Sequence, residues 1–364
     1  MYGLIDASRG FCLELDSFLI SVGCQRSIFD KALYFYYVDG ALSGIIETHV
    51  DDLCFAGDST FHEKVIKGII ERFTIGRVEV ENFTFTGWNL RQDKDGITLT
   101  QDSYVEKLSK EDFSAMTCPG QMKHEILDEA GQSLFRKAVG SIGWVSQVTR
   151  PDLSWMYVHL STKSGKATVE DARKAERVVR KIPESKQTIR FSNLGNIENV
   201  NIYGAADSSW GKLNNFETVI GHFLFLAGEN GKCNVLDWSS NKLQIPSASP
   251  LAAESEAALD LYGRVKYARA MLVNMLQIDK IFKDSVMIKI NTDSKSLKKA
   301  VDSDNSLKDK RTAIAVATLR RCVEFENMQV RWVKGQLQIA DLMTKEGVNP
   351  NLVASILRGD ALLP

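Results

Sequence analysis

Little in this chain is extreme, and each shortage excludes something. Proline is scarce, 7 residues in 364, and there is no low-complexity tract, so long disordered segments are not expected. The six cysteines, Cys12, Cys24, Cys54, Cys118, Cys233 and Cys322, include no Cys-x-x-Cys pair and no neighbouring His at zinc spacing. They read as small buried hydrophobes in a reducing compartment rather than as a metal module or a disulfide framework. No apolar run approaches the ~18 residues of a membrane span. Asp6, Arg9, Glu14 and Asp16 interrupt the apolar stretch that a signal peptide needs. An intracellular protein, cytoplasmic or nuclear, with no membrane partner is expected. Neither sign of charge dominates: 45 Lys and Arg face 46 Asp and Glu, for a net charge of −1. Whole-chain charge therefore draws no polyanion, and any nucleic-acid footprint must be local.

What is present is ordinary globular material, 44% hydrophobic and 25% charged. The length suffices for two or three domains with their own cores. Residues 11–22 have helical apolar spacing. Ala32–Val38, the Asp39-Gly40 turn and Ala41–Val50 predict a β-hairpin ending in His49-Val50-Asp51-Asp52. A strand over 53–57, an amphipathic helix over 60–73, a strand over 83–90 and a hairpin turn at Asp95-Gly96 follow. Residues 133–182 read as helical, broken at Pro151 and again at Lys163–Lys166. Ser192-Asn-Leu-Gly-Asn196 marks a shift in composition and reads as a linker. Beyond it come strands at 199–206, 218–227 and 232–239, a helix at 251–276, a strand at 286–292, helices at 294–301 and 310–326, a strand at 328–334 and a helical tail. That order predicts an α/β or α+β domain of about 160 residues.

Four acids in this last stretch sit where chemistry is usually placed. Asp207 ends the first strand, in Tyr203-Gly-Ala-Ala-Asp-Ser-Ser-Trp-Gly211. Glu254 lies on the first turns of the long helix. Asp293 ends Val286-Met-Ile-Lys-Ile-Asn-Thr-Asp293, and Asp341 opens a helix in Gln338-Ile-Ala-Asp-Leu-Met-Thr-Lys345. Acids at strand ends and helix starts can converge on one sheet edge. Convergent carboxylates repel one another and need a cation, and hard oxygen ligands select Mg²⁺ or Mn²⁺. Two such ions about 3.5–4 Å apart can activate water and stabilise the leaving oxygen of a phosphodiester. Singly, Asp207 or Asp341 is more often a helix or turn cap. Glu256 is two residues beyond Glu254 and does not share its helix face.

The words around these acids resemble the ribonuclease H domain of copia-type retrotransposon Pol polyproteins. Asp-Ser-Ser-Trp-Gly, Trp238-Ser-Ser-Asn-Lys242, Ala253-Glu-x-x-Ala257, Thr292-Asp-Ser-Lys-Ser-Leu297 and Gln338–Lys345 occur in the family's order. The resemblance implies that Asp207, Glu254, Asp293 and Asp341 are both the catalytic and the metal-binding set, holding two ions, for cutting RNA–DNA hybrids. One departure stands out. The family's His after an Arg-Thr pair is replaced here by Ala313-Ile314 after Arg311-Thr312, with no His before Asp341, so a proton shuttle or product-release aid is missing and the rate is expected to suffer.

The resemblance extends upstream. His49-Val50-Asp51-Asp52 is similar to the paired-aspartate hairpin of reverse transcriptases, with His where Tyr is usual. Met1-Tyr-Gly-Leu-Ile-Asp-Ala-Ser-Arg-Gly-Phe11, Phe85-Thr-Gly-Trp-Asn-Leu90, Gly140-Ser-Ile-Gly-Trp144 and Thr149-Arg-Pro-Asp-Leu153 each resemble a family segment. The resemblance implies Asp51 and Asp52 as a polymerase remnant that once held metal. In the family, a further aspartate and the fingers precede the Tyr-Gly-Leu segment. Their place falls before Met1, so an N-terminally truncated polymerase without synthetic activity is expected.

Between the halves, residues 163–190 carry Lys163, Lys166, Arg173, Lys174, Arg177, Arg180, Lys181, Lys186 and Arg190 against few acids. The plain reading is a solvated helix face. Beside two nucleic-acid-type halves, a phosphate track is the better reading, with Lys163, Lys166, Arg173, Lys174, Arg177, Arg180 and Lys181 as its contacts. The expected layout is a partial reverse-transcriptase palm (1–115), a helical thumb or connection (116–195), a ribonuclease H-like domain with a central mixed sheet flanked by helices (196–346) and a tail (347–364). The expected activity is metal-dependent hydrolysis of the RNA strand of RNA–DNA hybrids. The alternative is an inactive nucleic-acid-binding relic of a retroelement.

Overall fold

The computed structural model describes residues 7–211, 217–277, 286–347 and 350–359. The opening Met1–Asp6 part of the Tyr-Gly-Leu segment lies outside them. The chain is a mixed α/β protein whose residues fall into two compact units, one of 1–86 with 267–283, the other of 87–266 with 284–364. Among the described residues no helix is long and apolar enough to cross a membrane.

In the first unit, helix α1 (Ala7–Ser21) leads to strands β1 (Gln25–Arg26), β2 (Leu33–Val38), β3 (Ala41–His49) and β4 (Asp52–Gly57). They form an antiparallel sheet in sequence order. Tyr34 of β2 and its cross-strand partner Ile46 of β3 are both buried on the face that packs into the unit's core. The predicted 60–73 helix starts at Ser59, where Asp58 caps it by accepting from the Phe61 N–H at 2.9 Å. It contains a π-helical turn at His62–Ile66. Phe61 and Val65 join Leu15 and Leu19 in one core. Gly44 and Gly57 leave room for Phe61, since a Cβ at either would lie within about 2.2 Å of its ring.

The second unit begins with strands β6 (Trp88–Asp93) and β7 (Gly96–Thr100), following β5 (Asn82–Phe85) of the first. The single strand predicted over 83–90 is thus interrupted, because Thr86 and Gly87 both adopt positive φ (49° and 84°) and turn the chain. Helices α4 (Asp102–Leu108), α5 (Glu129–Val148), α6 (Ser154–Ser161) and α7 (Val169–Lys181) follow, with α2 (Ser59–Phe61) and α3 (Lys67–Arg72) already passed. The breaks fall at Pro151 and Lys163–Lys166 as expected. The first residue of the predicted linker, Ser192, ends a strand: β8 (Ile189–Ser192) pairs antiparallel with β7, and Arg190 bonds Thr98 across that ladder and reaches Asp93 on β6 beyond it.

The main sheet then assembles from β9 (Asn201–Ser209), β10 (Val219–Ala227), β11 (Cys233–Lys242), β12 (Ile288–Thr292) and β13 (Met328–Trp332). Their order is β11-β10-β9-β12-β13, antiparallel on one side of β9 and parallel on the other. Helix α8 (Pro250–Leu276) packs on one face, where Gly204 admits Leu261: a Cβ there would sit 2.6 Å from that side chain. The opposite face is covered by the short α11 (Asp341–Thr344), and Phe223, Phe225, Met343 and Val148 share a core there. Helices α9 (Lys295–Asp302), α10 (Lys310–Phe325) and α12 (Pro350–Arg358) complete the unit. Burying each such aromatic contributes roughly 1.5–3 kcal/mol, which anchors the face of the sheet under α11.

Candidate metal centre

Register explains why the acids meet. Ile288, Ile290 and Asn291 of β12 lie beside Ile202, Gly204 and Ala205 of β9 in parallel alignment. Two residues beyond the last of these pairs come Asp293 and Asp207, with side chains of matching parity. Asp207 is not at the strand end, as expected from sequence, but inside a β9 that continues to Ser209. Glu254 stands on the second turn of α8, where Ser208 Oγ donates to its Oε1 at 2.7 Å. Carboxylate oxygens of Asp207, Glu254 and Asp293 all lie within 4.8 Å of one another.

Asp341 is outside that group of three but adjoins it. It opens α11, which is held by three bonds. Gln338 Nε2 donates to the Ala206 carbonyl at 2.8 Å, Ser240 Oγ to the Met343 carbonyl at 2.6 Å, and Thr344 Oγ1 to Asp207 Oδ2. Lys345, one turn after Asp341, places its Nζ 2.7 Å from Asp341 Oδ1 and 3.5 Å from Asp207 Oδ2. Glu256 is turned away and pairs with Arg311 at 2.9 Å.

The electrostatics are those of a crowded acidic site. Burial pushes Asp207 up to about 6, with the charges of Asp341 and Asp293 adding to it and Lys345 and Thr344 opposing. Burial, then the charge of Asp207, pushes Glu254 up to about 8. Burial also raises Asp293. Glu254 is only 9% exposed, and its Oε2 has no hydrogen-bond partner. An unpartnered buried carboxylate oxygen is costly. In a carboxyl group that converges with two more carboxylates, it is the feature a hard cation would satisfy, so the donor set fits Mg²⁺ or Mn²⁺.

The other sequence candidates are elsewhere. Asp51 and Asp52 are exposed at the tip of the β3–β4 hairpin, where Val50 takes φ 58°, a rare value for a β-branched residue. Among the described residues, no third potential ligand groups with them. The basic stretch divides. Arg173, Arg177 and Arg180 form an exposed row on α7 and, with Lys123 and the acids Glu170 and Glu176, line a cleft of about 460 Å³. Lys174 instead lies 5.4 Å from the centre of the Trp155 ring and 3.4 Å from Glu346. Lys181 is exposed at the end of the helix, and Lys163 and Lys166 belong to the turn before it. Sequence reasoning missed Lys123, which is far away in the chain. It also gave no role to Ser208, Gln338, Thr344 or Lys345. Lys345 alone had a signal, the i,i+4 spacing from Asp341.

No family model matches the chain. It does have homologues among retrovirus-related Pol polyproteins of transposons. Those from transposons RE1 and RE2 of Arabidopsis thaliana are each 23% identical over 285 residues, 76% of this chain. The matched chain spans only 19% of the length of those relatives. Similar solved structures include LC11-RNase H1 isolated from compost, at 16% identity and TM-score 0.30 over 39% of this chain and 91% of that one. A foamy viral protease-reverse transcriptase in complex with RNA/DNA hybrid is 14% identical, with TM-score 0.46, over 96% of this chain and 40% of that one.

Proposed function

We propose that the chain is a copia-type reverse transcriptase/ribonuclease H region whose second half hydrolyses the RNA strand of RNA–DNA hybrids, as an endonuclease dependent on Mg²⁺ or Mn²⁺. The convergence of Asp207, Glu254 and Asp293, with Glu254 Oε2 buried and unpartnered, carries this reading. These three, with Asp341 alongside, would hold the ions. Divalent ions bound there supply a water of lowered pKa and neutralise charge on the leaving oxygen. The chain's own residues set the frame: Ser208 orients Glu254, Thr344 orients Asp207, and Gln338 fixes the loop that brings in Asp341. The arginine row on α7 would hold the phosphate backbone, whose recognition needs no base contact.

The family layout assigns 1–115 to a partial palm, 116–195 to a thumb or connection, 196–346 to the nuclease domain and 347–364 to a tail. Asp51 and Asp52, exposed and without a third carboxylate among the described residues, support no synthesis in this reading, and primer extension by the chain would count against it. The deciding experiment is hybrid cleavage with Mg²⁺ by the wild type and by Asp207→Asn. Cleavage abolished in the variant supports the nuclease. Hybrid binding without cleavage by the wild type supports the relic instead.

A further inference from the structure

Charge in the acidic site is unevenly compensated. On one side, Asp207 Oδ2 accepts from Thr344 and faces the Lys345 ammonium, which also bonds Asp341 at 2.7 Å. On the other side, Glu254 Oε2 has no partner, and a Glu254 carboxylate oxygen lies within 4.8 Å of those of Asp207 and Asp293. The Lys345 side chain is about one-third exposed, and its backbone N–H is tied to the Asp341 carbonyl at 2.9 Å as the C-cap of α11. The stem is therefore anchored at its base, while one-third exposure leaves the ion-paired ammonium an open side toward solvent. A lysine ammonium is a compact point charge on a flexible stem, suited to standing in for a small cation.

We propose that the Lys345 ammonium is the built-in second cation of this site: it occupies the place between Asp207 and Asp341, so one divalent ion binds readily at Asp207, Glu254 and Asp293, and a second binds only by displacing Lys345. This rests on the reading of the carboxylates as a metal centre. Placing a positive ion beside a resident ammonium adds repulsion in a poorly solvated site, where charges are weakly screened. The second ion must therefore be much weaker than the first.

The test is a Mn²⁺ titration of the full chain, followed by calorimetry and by the electron paramagnetic resonance of free Mn²⁺. Wild type is expected to bind one ion, with a second at least tenfold weaker. Lys345→Met is expected to tighten the second ion by tenfold or more, and Lys345→Arg to keep the wild-type gap. In EDTA the Met variant should melt below wild type, and Mn²⁺ should raise its Tm by more than it raises that of wild type. Identical second-ion affinity in wild type and Lys345→Met overturns the proposal and leaves the metal centre standing. A Met variant that stays unfolded in saturating Mn²⁺ also overturns it, since Lys345 would then be structural. No binding by any of the three proteins removes the metal centre itself, and the proposal with it.

Discussion

Gly221 stands opposite Asp207 in the β9–β10 ladder, and the hydrogen atom it carries in place of a side chain is what lets α11 lie against the sheet. A Cβ at 221 would come 2.1 Å from Met343 Cβ and 3.2 Å from Met343 Cα. The second of these atoms belongs to the backbone, so relief requires the helix to move. Gly221→Ala is expected to cost roughly 1–3 kcal/mol of stability through overpacking. It should also reduce hybrid cleavage by more than tenfold, because the displaced helix carries Asp341, Thr344 and Lys345. Chemical denaturation and cleavage rates measured on the same preparation check this. Full activity in the variant would show that α11 need not be seated for the site to work.

The bonds behind the carboxylates give a finer test. Ser208 holds Glu254 Oε1, and Thr344 holds Asp207 Oδ2. Partners of this kind, one step behind a metal ligand, typically carry about 10–100-fold in affinity or activity. Ser208→Ala and Thr344→Val should each weaken Mn²⁺ binding by that order while leaving far-ultraviolet circular dichroism unchanged. Unaltered Mn²⁺ affinity in both would mean that packing alone aims the two acids.

Much of this arrangement was legible in the chain. Periodicity located the strands of the main sheet because each alternates or runs apolar between turn residues, and it located α5, α6 and α7 between their breaks. Spacing alone could not say that β9 runs on past Asp207, since Ser208 and Ser209 are polar yet continue the ladder with Ile220 and Val219. Nor could it separate β5 from β6, because Thr86 carries no glycine-like signal for its positive φ. The acids were legible from the words around them. The residues that aim them were not, because Ser208, Gln338 and Thr344 are ordinary polar residues until a partner distant in sequence is brought to them. The basic stretch looked like a single track, whereas helical geometry sends Lys174 to Trp155 and leaves Arg173, Arg177 and Arg180 in a row.

A second ionic centre, built around a buried histidine, gives the second unit a pH signature. His222 on β10 is 1% exposed, with Nδ1 3.0 Å from Asp260 Oδ2 and Nε2 3.4 Å from Asp237 Oδ2. Ser239 Oγ also lies 3.2 Å from Nδ1, and Arg264 faces Asp237 at 3.5 Å. Burial works against the imidazolium, but the two carboxylates outweigh it and raise His222 above its usual 6.5. The bond to His222 lowers Asp260 below its usual 3.8 despite burial. A raised His stabilises fully below its unfolded value and loses that contribution as pH rises through the folded one. A lowered Asp stabilises above its unfolded value and loses it as pH falls. The pair therefore contributes most between about pH 4 and pH 6.5. Asp237 and Asp260 are each about one-third exposed, so solvent screens part of the interaction; His222→Asn should cost on the order of 1–2 kcal/mol there, and clearly less at pH 9. Urea denaturation across that range decides it, and a pH-independent cost would remove the ionic account.

The arginine row can be tested by salt rather than by cleavage. Arg173 and Arg177 are exposed one turn apart, with Arg180 next along α7, and Arg177 Nε is steadied by the Arg173 carbonyl at 3.2 Å. If these guanidinium groups hold phosphates, deleting one arginine lowers the slope of log affinity against log salt by about one unit. Arg173→Ala with Arg177→Ala should then flatten the slope for an RNA–DNA hybrid by about two units and weaken binding equally for every sequence. Lys174→Ala is the internal control. Its ammonium is engaged by the Trp155 ring and by Glu346, so removing it should leave the slope where it was. A double arginine variant with an unchanged slope would mean that α7 presents a solvated face and that the hybrid is held elsewhere.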